Sequence, residues 1–384
     1  MFIYLKKIDN AFACKMIFFV VAFYVGLWTI RIPTIKDQVA TDYLGIGYIF
    51  AAFSIGSVIL MILSNKIIKN YTSKLIIKFC GYAHALVWIF APLISNIFLF
   101  MILAFLAGCV VGIYEIAMNL QASDLEKKNN KSMMSGFHAF FSLGLLLGAI
   151  TTSVFVELEI SFLLNSLLVI TVLLPLNILF ANSLGDDLQT DFEKGKKNIF
   201  FLWPLIIFVL VFITITDSFT EGSVDAWAAL YMRDYISTTG FKIGLATIFF
   251  NIFMVIGRLI GDKIRDILGV FNFLFILLIF SIFGLLIIFI FKSIYSSILG
   301  FSLLGIGISN LVPLAYSIAG KVKGIDSAVS ISIISISAYG VFMVAPALLG
   351  LIANYYGVSF VFFPLIFLFL ISLIILIFTK KIFN

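Results

Sequence analysis

The chain consists largely of apolar runs, each of them long enough to cross a lipid bilayer. A spanning helix needs about 17–25 residues, and twelve runs of that length follow one another along the 384 residues. Because lipid offers no partner for free backbone groups, every run must be helical. Charged residues make up only 11% of the chain, against roughly 25% in soluble domains. The sequence therefore predicts an all-α membrane protein with twelve transmembrane helices.

Polar segments between the runs divide the chain. The longest, residues 182–198, follows the sixth span and contains seven charged residues. It predicts a cytoplasmic linker between two six-helix bundles, at residues 1–181 and 199–384. The spans are predicted near residues 11–32, 45–63, 75–94, 97–119, 136–156, 161–181, 199–224, 243–260, 270–291, 294–318, 327–351 and 359–379.

Basic residues indicate the orientation, since cytoplasmic loops carry an excess of Lys and Arg. With the N-terminus inside, nineteen of the 25 Lys and Arg residues fall on the cytoplasmic side. We expect both termini in the cytoplasm of a bacterium and the chain in its inner membrane, which also fits the Phe, Ile, Lys and Asn bias of an A+T-rich genome. Only five basic residues fall outside: Arg31, Lys36, Arg233, Lys242 and Lys292.

The two bundles have similar landmarks at a nearly constant offset. Ser64-Asn-Lys-Ile-Ile after the second span and Gly261-Asp-Lys-Ile-Arg after the eighth are 197 residues apart. Two glycine pairs are each 196 apart, Gly26 with Gly222 and Gly144 with Gly340. The offsets predict a duplicated unit and hence two pseudo-symmetric bundles, the plan of one large transporter class.

Glu115 is the acidic residue that most needs an explanation, because it lies in the fourth apolar run. A carboxylate in a span costs about 2.5–3.5 kcal/mol on insertion scales unless it faces protein or water. We interpret it as a proton-coupling site, the alternative being a side chain that reaches the cytoplasmic surface about four residues away. His138 begins the fifth span, and because histidine changes charge near neutral pH it is a second proton-coupling candidate or a helix cap.

A cavity for a small polar solute needs hydrogen-bonding groups and aromatic faces among apolar walls. Several polar or amphipathic side chains lie in or near the spans, although such residues near span ends are often interfacial anchors. Asn119, one turn after Glu115 on the same face, is predicted to bond that carboxylate or the solute, or to cap the helix. The substrate-cavity candidates are Asn119, Tyr24, Trp28, Tyr114, Asn251, Asn310 and Tyr316.

The segment Gly257-Arg-Leu-Ile-Gly-Asp-Lys-Ile-Arg265, between spans eight and nine, resembles the loop signature of the major facilitator superfamily. The resemblance covers essentially the whole chain and implies a transporter that works by alternating access. It also implies an inner gate at Arg258, Gly261, Asp262 and Arg265. The first-half copy of the signature, residues 64–74, keeps its basic residues but has no aspartate.

Two finer resemblances exist. Gly112-x-x-Glu115-x-Ala-x-Asn119 is similar to the span-four motif of the fucose–proton symporter group, although Leu120 replaces a proline and span one has no aspartate. A fuller match is to an uncharacterised bacterial inner-membrane subgroup of facilitators. The residues of this chain that resemble the subgroup include Arg31-Ile-Pro, Met134-Ser-Gly-Phe-His and Asp225-Ala-Trp.

Span seven contains three acids, Asp217, Glu221 and Asp225, whose spacing of four places them on one helical face. In the superfamily's architecture, spans one and seven are neighbours, and Arg31 closes span one. We therefore hypothesise an outer gate in which Arg31 pairs with one of the three acids. The alternative is that all four are interfacial and solvated.

The sequence has no phosphate-binding glycine loop and no nucleophile with a positioned base, so we expect no enzyme and no cofactor. The three cysteines share no metal-ligand spacing. The basic residues are spread over short loops, which speaks against nucleic-acid binding.

We expect a monomeric, proton-coupled transporter of a small polar organic solute, sugar-like or an organic acid. One alternative is an exporter of drugs, siderophores or metabolites, although span five lacks the proline of the drug antiporter motif. Another is a non-transporting membrane sensor or scaffold.

Overall fold

A computed structural model describes residues 8–129, 133–185, 203–319, 322 and 327–383, and in this part of the chain all regular structure is helical. Eleven described segments are long and apolar enough to cross a membrane, and Ser327–Tyr356 supplies a twelfth helix of 30 residues. The all-α membrane fold is thus confirmed. Most of the predicted linker lies outside the described residues.

The chain divides into two compact units, Met1–Thr190 and Asp191–Asn384. Unit 1 contains α1 Asn10–Gln38, α2 Tyr43–Asn70, α3 Ser73–Phe90, α4 Ile97–Asn129, α5 Met134–Glu157 and α6 Phe162–Ser183. Unit 2 contains α7 Leu205–Leu230, α8 Leu245–Leu268, α9 Val270–Ile290, α10 Ile294–Ile308, α11 Leu311–Ala319, α12 Ser327–Tyr356, α13 Phe363–Phe378 and α14 Lys380–Phe383.

The same packing order recurs in both units. In unit 1, α1 packs on α5, α2 on α4, and α3 on both α4 and α6. In unit 2, α7 packs on α12, α8 on α10, and α9 on both α10 and α13. This repetition agrees with the duplicated unit that the glycine offsets predict.

Glycines bring the helices of unit 1 into backbone contact. A Cβ atom on Gly144 would lie 2.2 Å from the main-chain oxygen of Phe19, and one on Gly148 would lie 2.2 Å from that of Phe23. On the α2–α4 pair, a Cβ on Gly112 would lie 2.4 Å from the oxygen of Ser57. Small residues let membrane helices approach this closely, so these positions exclude any larger side chain.

Gly144→Ala is expected to lower the thermal unfolding midpoint of the detergent-solubilised protein, because the added methyl group collides with a backbone oxygen that cannot turn away. Overpacking of this kind typically costs about 1–3 kcal/mol. The repeat supplies the matched control: a Cβ on Gly340 meets nothing within 4 Å, so Gly340→Ala should leave the midpoint unchanged. Equal midpoints for the two variants would contradict the packing described here.

Several spans differ from their predicted bounds, and three of the differences are as follows. Helix α4 continues to Asn129, ten residues beyond the predicted end, because Gln121 and Asp124 are buried inside the protein instead of facing water. The seventh span was predicted to end at residue 224, yet α7 reaches Leu230 and continues as a π-helical segment, Tyr231–Tyr235. Span ten is broken between α10 and α11, just before Pro313. A fall in hydropathy does not mark the end of a helix when the polar residues are buried by other helices.

Candidate functional site

Glu115 lies within α4, eleven residues before Glu126, where the apolar segment Ile97–Glu126 ends. Eleven residues correspond to about 16 Å of helix, which is beyond the reach of a glutamate side chain. Among the described residues, none donates a hydrogen bond or forms an ion pair with the Glu115 carboxylate. Glu115 thus lies farther from the end of its helix than the four residues that the sequence indicates.

The neighbours of Glu115 on α4 are held by other contacts. The side-chain amide of Asn119 donates to the main-chain oxygen of Glu115 at 2.9 Å, not to its carboxylate. The hydroxyl of Tyr114 donates to Oδ1 of Asn177 on α6, and the Asn177 amide reaches the oxygen of Ile77 on α3 at 3.4 Å. Tyr114, a predicted cavity residue, thus takes part in hydrogen bonds that connect α4, α6 and α3.

Four aromatic side chains form a cluster between α1 and α3, which we call the aromatic cluster: Tyr24, Trp28, His84 and Trp88. The ring centroids of Tyr24 and His84 are 4.5 Å apart, and Trp88 stacks on Tyr24 at 6.1 Å and meets Trp28 edge-on at 6.1 Å. The Tyr24 hydroxyl, the His84 Nδ1 and the Trp88 Nε1 are buried and have no hydrogen-bond partner in the structure.

The predicted cavity list contained Tyr24 and Trp28 but missed their partners on α3. His84 looks from sequence like a satisfied interior histidine, whereas its Nδ1 has no hydrogen-bond partner in the structure. The signal that could have found the pair is the spacing of four between His84 and Trp88, which places both on one face of a helix.

Arg31 is buried, at 5% exposure, and binds inside its own unit. Its Nε donates to Oδ1 of Asn165 at 2.9 Å, and its Nη2 donates to the main-chain oxygen of Ile160 at 2.8 Å. The guanidinium also lies 5.5 Å from the ring centre of Phe162. These contacts attach the C-terminal part of α1 to the start of α6, and the pairing with the acids of span seven stays a prediction.

The three acids of α7 lie well inside their span. Glu221 is the seventeenth residue of the 31-residue segment Leu205–Tyr235, because α7 and the π-helical segment continue beyond the predicted end at residue 224. Asp217 and Asp225 are only 2% and 7% exposed, and neither Oδ1 atom has a hydrogen-bond partner. Glu221 lies 3.9 Å from Arg258 on α8.

Arg258 belongs to a helix packed on the broken span, not to a loop as the signature predicted, because α8 continues to Leu268. Its Nε donates to the main-chain oxygen of Ser309 at 3.3 Å, and the amide of Asn310 donates to the oxygen of Gly257 at 2.8 Å. A Cβ on Gly261 would lie 2.2 Å from Oδ1 of Asn310. The structure therefore joins Glu221, predicted in an outer gate, to Arg258, predicted in an inner gate.

The other predicted site residues that the structure describes contact residues outside the predicted set. His138 meets the ring of Phe18 edge-on at 5.5 Å. The cap of α5 comes from Glu126, whose Oε1 accepts from the backbone N–H groups of Met133 and Met134.

In unit 2, the amide of Asn251 donates to the oxygen of Thr247 on the same helix, and Tyr316 packs on a small core of α7 and α11 residues. Arg265 pairs with Asp266 at 2.9 Å, and the side chain of Asp262 lies outside the described part. Within the described residues no group of three or more His, Cys, Asp or Glu is placed to hold a metal ion.

Comparison with known proteins places this geometry in a family. The profile of the Major Facilitator Superfamily matches residues 15–220, more than half of the chain. An uncharacterised MFS-type transporter of Yersinia pestis is 27% identical over 358 residues, with 92% of each chain covered. The membrane protein MosC of Rhizobium meliloti is 26% identical, over 89% of this chain and 83% of its own.

Two solved structures share the fold. The crystal structure of the nucleoside transporter NupG aligns with a TM-score of 0.72 at 12% identity, over 97% of this chain and 100% of its own. A bacterial homologue of the human lysosomal transporter Spinster, inward-facing and occupied, aligns with a TM-score of 0.72 at 10% identity, over 97% of this chain and 96% of its own. The family match, the relatives and the twelve-helix fold agree: the chain belongs to the major facilitator superfamily and is a multi-pass membrane transporter.

Proposed function

We propose that the protein is a proton-coupled transporter of a small polar organic solute in the inner membrane of a bacterium, with both termini in the cytoplasm. The observation that carries the proposal is the Glu115 carboxylate, which lies in an apolar span and has no partner among the described residues. Such a carboxyl group can exist in both protonation states only if it faces other protein groups or water. Intramembrane acids commonly relay protons. Loading and release of its proton can then accompany movement of the solute.

The aromatic cluster supports a ring-shaped, hydroxylated solute. Its aromatic faces suit the apolar side of a ring, and three buried polar atoms are left without partners. Buried polar groups are nearly always hydrogen-bonded, so these atoms require bonds from water or from a solute when the site opens. A sugar-like solute fits this chemistry. The similarity to a nucleoside transporter, whose solute also carries a hydroxylated ring, is compatible with it.

The test is a proteoliposome screen of sugars, polyols and organic acids with a pH-sensitive dye outside. Addition of the transported solute should make the external medium alkaline, because solute and protons enter together. Solute entry without any pH change would contradict proton coupling. External acidification on solute entry would indicate exchange of solute for protons and would support the exporter alternative.

Tyr24→Phe and Tyr114→Phe form a matched pair that tests the solute site. The Tyr114 hydroxyl bonds to Asn177, whereas the Tyr24 hydroxyl bonds to no described residue. Only Tyr114→Phe should therefore lower the free energy of unfolding, by about 0.5–1.5 kcal/mol for one lost hydrogen bond, and with it the unfolding midpoint. Tyr24→Phe should keep its midpoint but raise the KM for the solute about tenfold, as for the loss of one well-placed hydrogen bond. An unchanged KM in Tyr24→Phe would remove this hydroxyl from the solute site.

A further inference from the structure

The acids of α7 outnumber the basic groups that face them in the described part of unit 2. The segments that pack closely on α7 are α8, α11, α12 and α13, with the short helical turns Gly240–Gly244 and Val358–Phe362. Of these, α11, α12, α13 and Val358–Phe362 carry no charged residue, and their titratable side chains are four tyrosines. The tyrosines are Tyr316, Tyr339, Tyr355 and Tyr356.

Basic side chains come from three places. Lys242, in Gly240–Gly244, is exposed, and Arg233 at the end of the π-helical segment pairs with Asp234 at 2.5 Å. On α8, Lys263 is exposed and Arg265 pairs with Asp266.

Arg258 is therefore the one described cation of unit 2 that touches the acid row, and it contacts Glu221. If all three acids were ionised, one arginine would face three carboxylates. Buried charges without partners are too costly to persist, so the row must bind positive charge, and the smallest candidate is a proton.

The hydroxyl groups of α7 do not supply the missing bonds. Thr216, Thr220 and Ser223 each donate to the main-chain oxygen four residues earlier on the same helix, the local pattern common for such side chains in helices. Their polarity is thus accounted for by the helix itself. The carboxylates of Asp217 and Asp225 have no such bond, and they are left as the groups that need a ligand.

We infer that Asp217 is a proton-binding site of unit 2, and that Arg258 compensates its charge when the proton leaves. In the protonated state Asp217 is a neutral acid and Arg258 pairs with Glu221, as the structure shows. On release of the proton to water, the guanidinium turns towards the Asp217 carboxylate one turn away and shares its charge between the two acids. The arginine keeps its own proton throughout, so one proton is exchanged.

Asp217 fits this role better than Asp225. Asp217 is the less exposed of the two, at 2% against 7%, and both Glu221 and Arg258 are close enough to act on its charge. Asp217 is the acid whose anion a neighbouring cation can stabilise, which is what a reversible proton site requires.

Infrared difference spectroscopy of the full-length protein in liposomes tests the assignment without any solute. The carbonyl band of a protonated carboxylic acid, identified by its shift in heavy water, should decrease as the pH is raised. All variants carry Glu115→Gln, so that the proposed proton site of unit 1 contributes no band. In this background the titrating band should be absent after Asp217→Asn and present after Asp225→Asn and after the exposed control Glu159→Gln. In Asp217→Glu it should move in frequency, which covers the case in which Asp217→Asn does not fold.

Two further variants sharpen the result. Arg258→Gln should move the titration of the band to higher pH, because the anion of Asp217 loses its counter-charge. Glu115→Gln should retain the band, since that residue belongs to unit 1. A titrating band that survives Asp217→Asn in the Glu115→Gln background, or the absence of any titrating band in Glu115→Gln alone, would overturn the inference. The coupling of this proton to solute movement rests on the proposed function, but the proton site itself does not, so the two can fail separately.

Discussion

Glu115→Gln protein in proteoliposomes is expected to exchange solute across the membrane at a rate near that of the wild type, but to lose uphill accumulation. The amide keeps the shape of the protonated acid and cannot release a proton, so solute can move only down its own gradient. One pH unit is worth about 1.4 kcal/mol per proton. With one proton per solute, the wild type should therefore accumulate solute about tenfold per pH unit. The variant should reach equal solute concentrations on both sides of the membrane.

The measurement compares two assays on the same vesicles: exchange of labelled for unlabelled solute at equal pH, and net uptake under an imposed pH gradient. Glu159→Gln is the control, since Glu159 is exposed in the turn after α5 and should behave as the wild type. Accumulation retained by Glu115→Gln would end the proposal that this carboxylate couples protons. Loss of exchange together with accumulation would assign Glu115 to solute binding instead.

Arg258→Met should destabilise unit 2 more than any other single charge removal on α8. It leaves Glu221 without its ion pair and removes the bond to the main-chain oxygen of Ser309 at the break in span ten. Loss of one partner of a fully buried pair costs about 3–5 kcal/mol. Here the charges are 3.9 Å apart and the side chains 25% and 24% exposed, so about 1–3 kcal/mol is expected after allowance for screening.

Reaction of the cysteines with a thiol dye during heating reports the unfolding of unit 1, since Cys14 and Cys80 are buried there. In a background in which Trp28 and Trp88 are replaced by Phe, the remaining tryptophans lie in unit 2 and their fluorescence reports its unfolding. Arg258→Met with Glu221→Gln in the same chain should recover part of the loss, because the uncompensated carboxylate is then gone. Lys263→Met, which removes an exposed charge from the same helix, is the control. A double variant no more stable than Arg258→Met would show that the pair contributes little.

The fold could be predicted from hydropathy because lipid forces long apolar runs into helices. The ends of the helices could not. Gln121 and Asp124 are polar but buried, so α4 continues where the apolar signal stops, and Glu115 lies farther from the end of its helix than the sequence indicates. The seventh span was predicted too short for the same reason, and Glu221 lies near the middle of the helical segment.

The residues of the candidate site were mostly visible in the sequence, but their partners were not. Helical spacing showed that Asp217, Glu221 and Asp225 share a face, yet it contains no information about which neighbouring helix meets that face. Arg258 was assigned to an inner gate because its segment resembles a family motif. Only the packing of α7 on α8 brings it next to Glu221. The α3 partners in the aromatic cluster were missed for the same reason.

The glycine contacts described above limit where unit 1 can deform. Where the main-chain oxygens of Phe19 and Phe23 lie against Gly144 and Gly148, a small slide of α1 along α5 would drive each oxygen into the next, bulkier residue. The pair is therefore stiff against shear and can yield only by bending as one rod. Within unit 2, the break at Ser309–Asn310 is bound to α8 by the contacts of Gly257 and Arg258, so the two halves of span ten can move apart only if these bonds break.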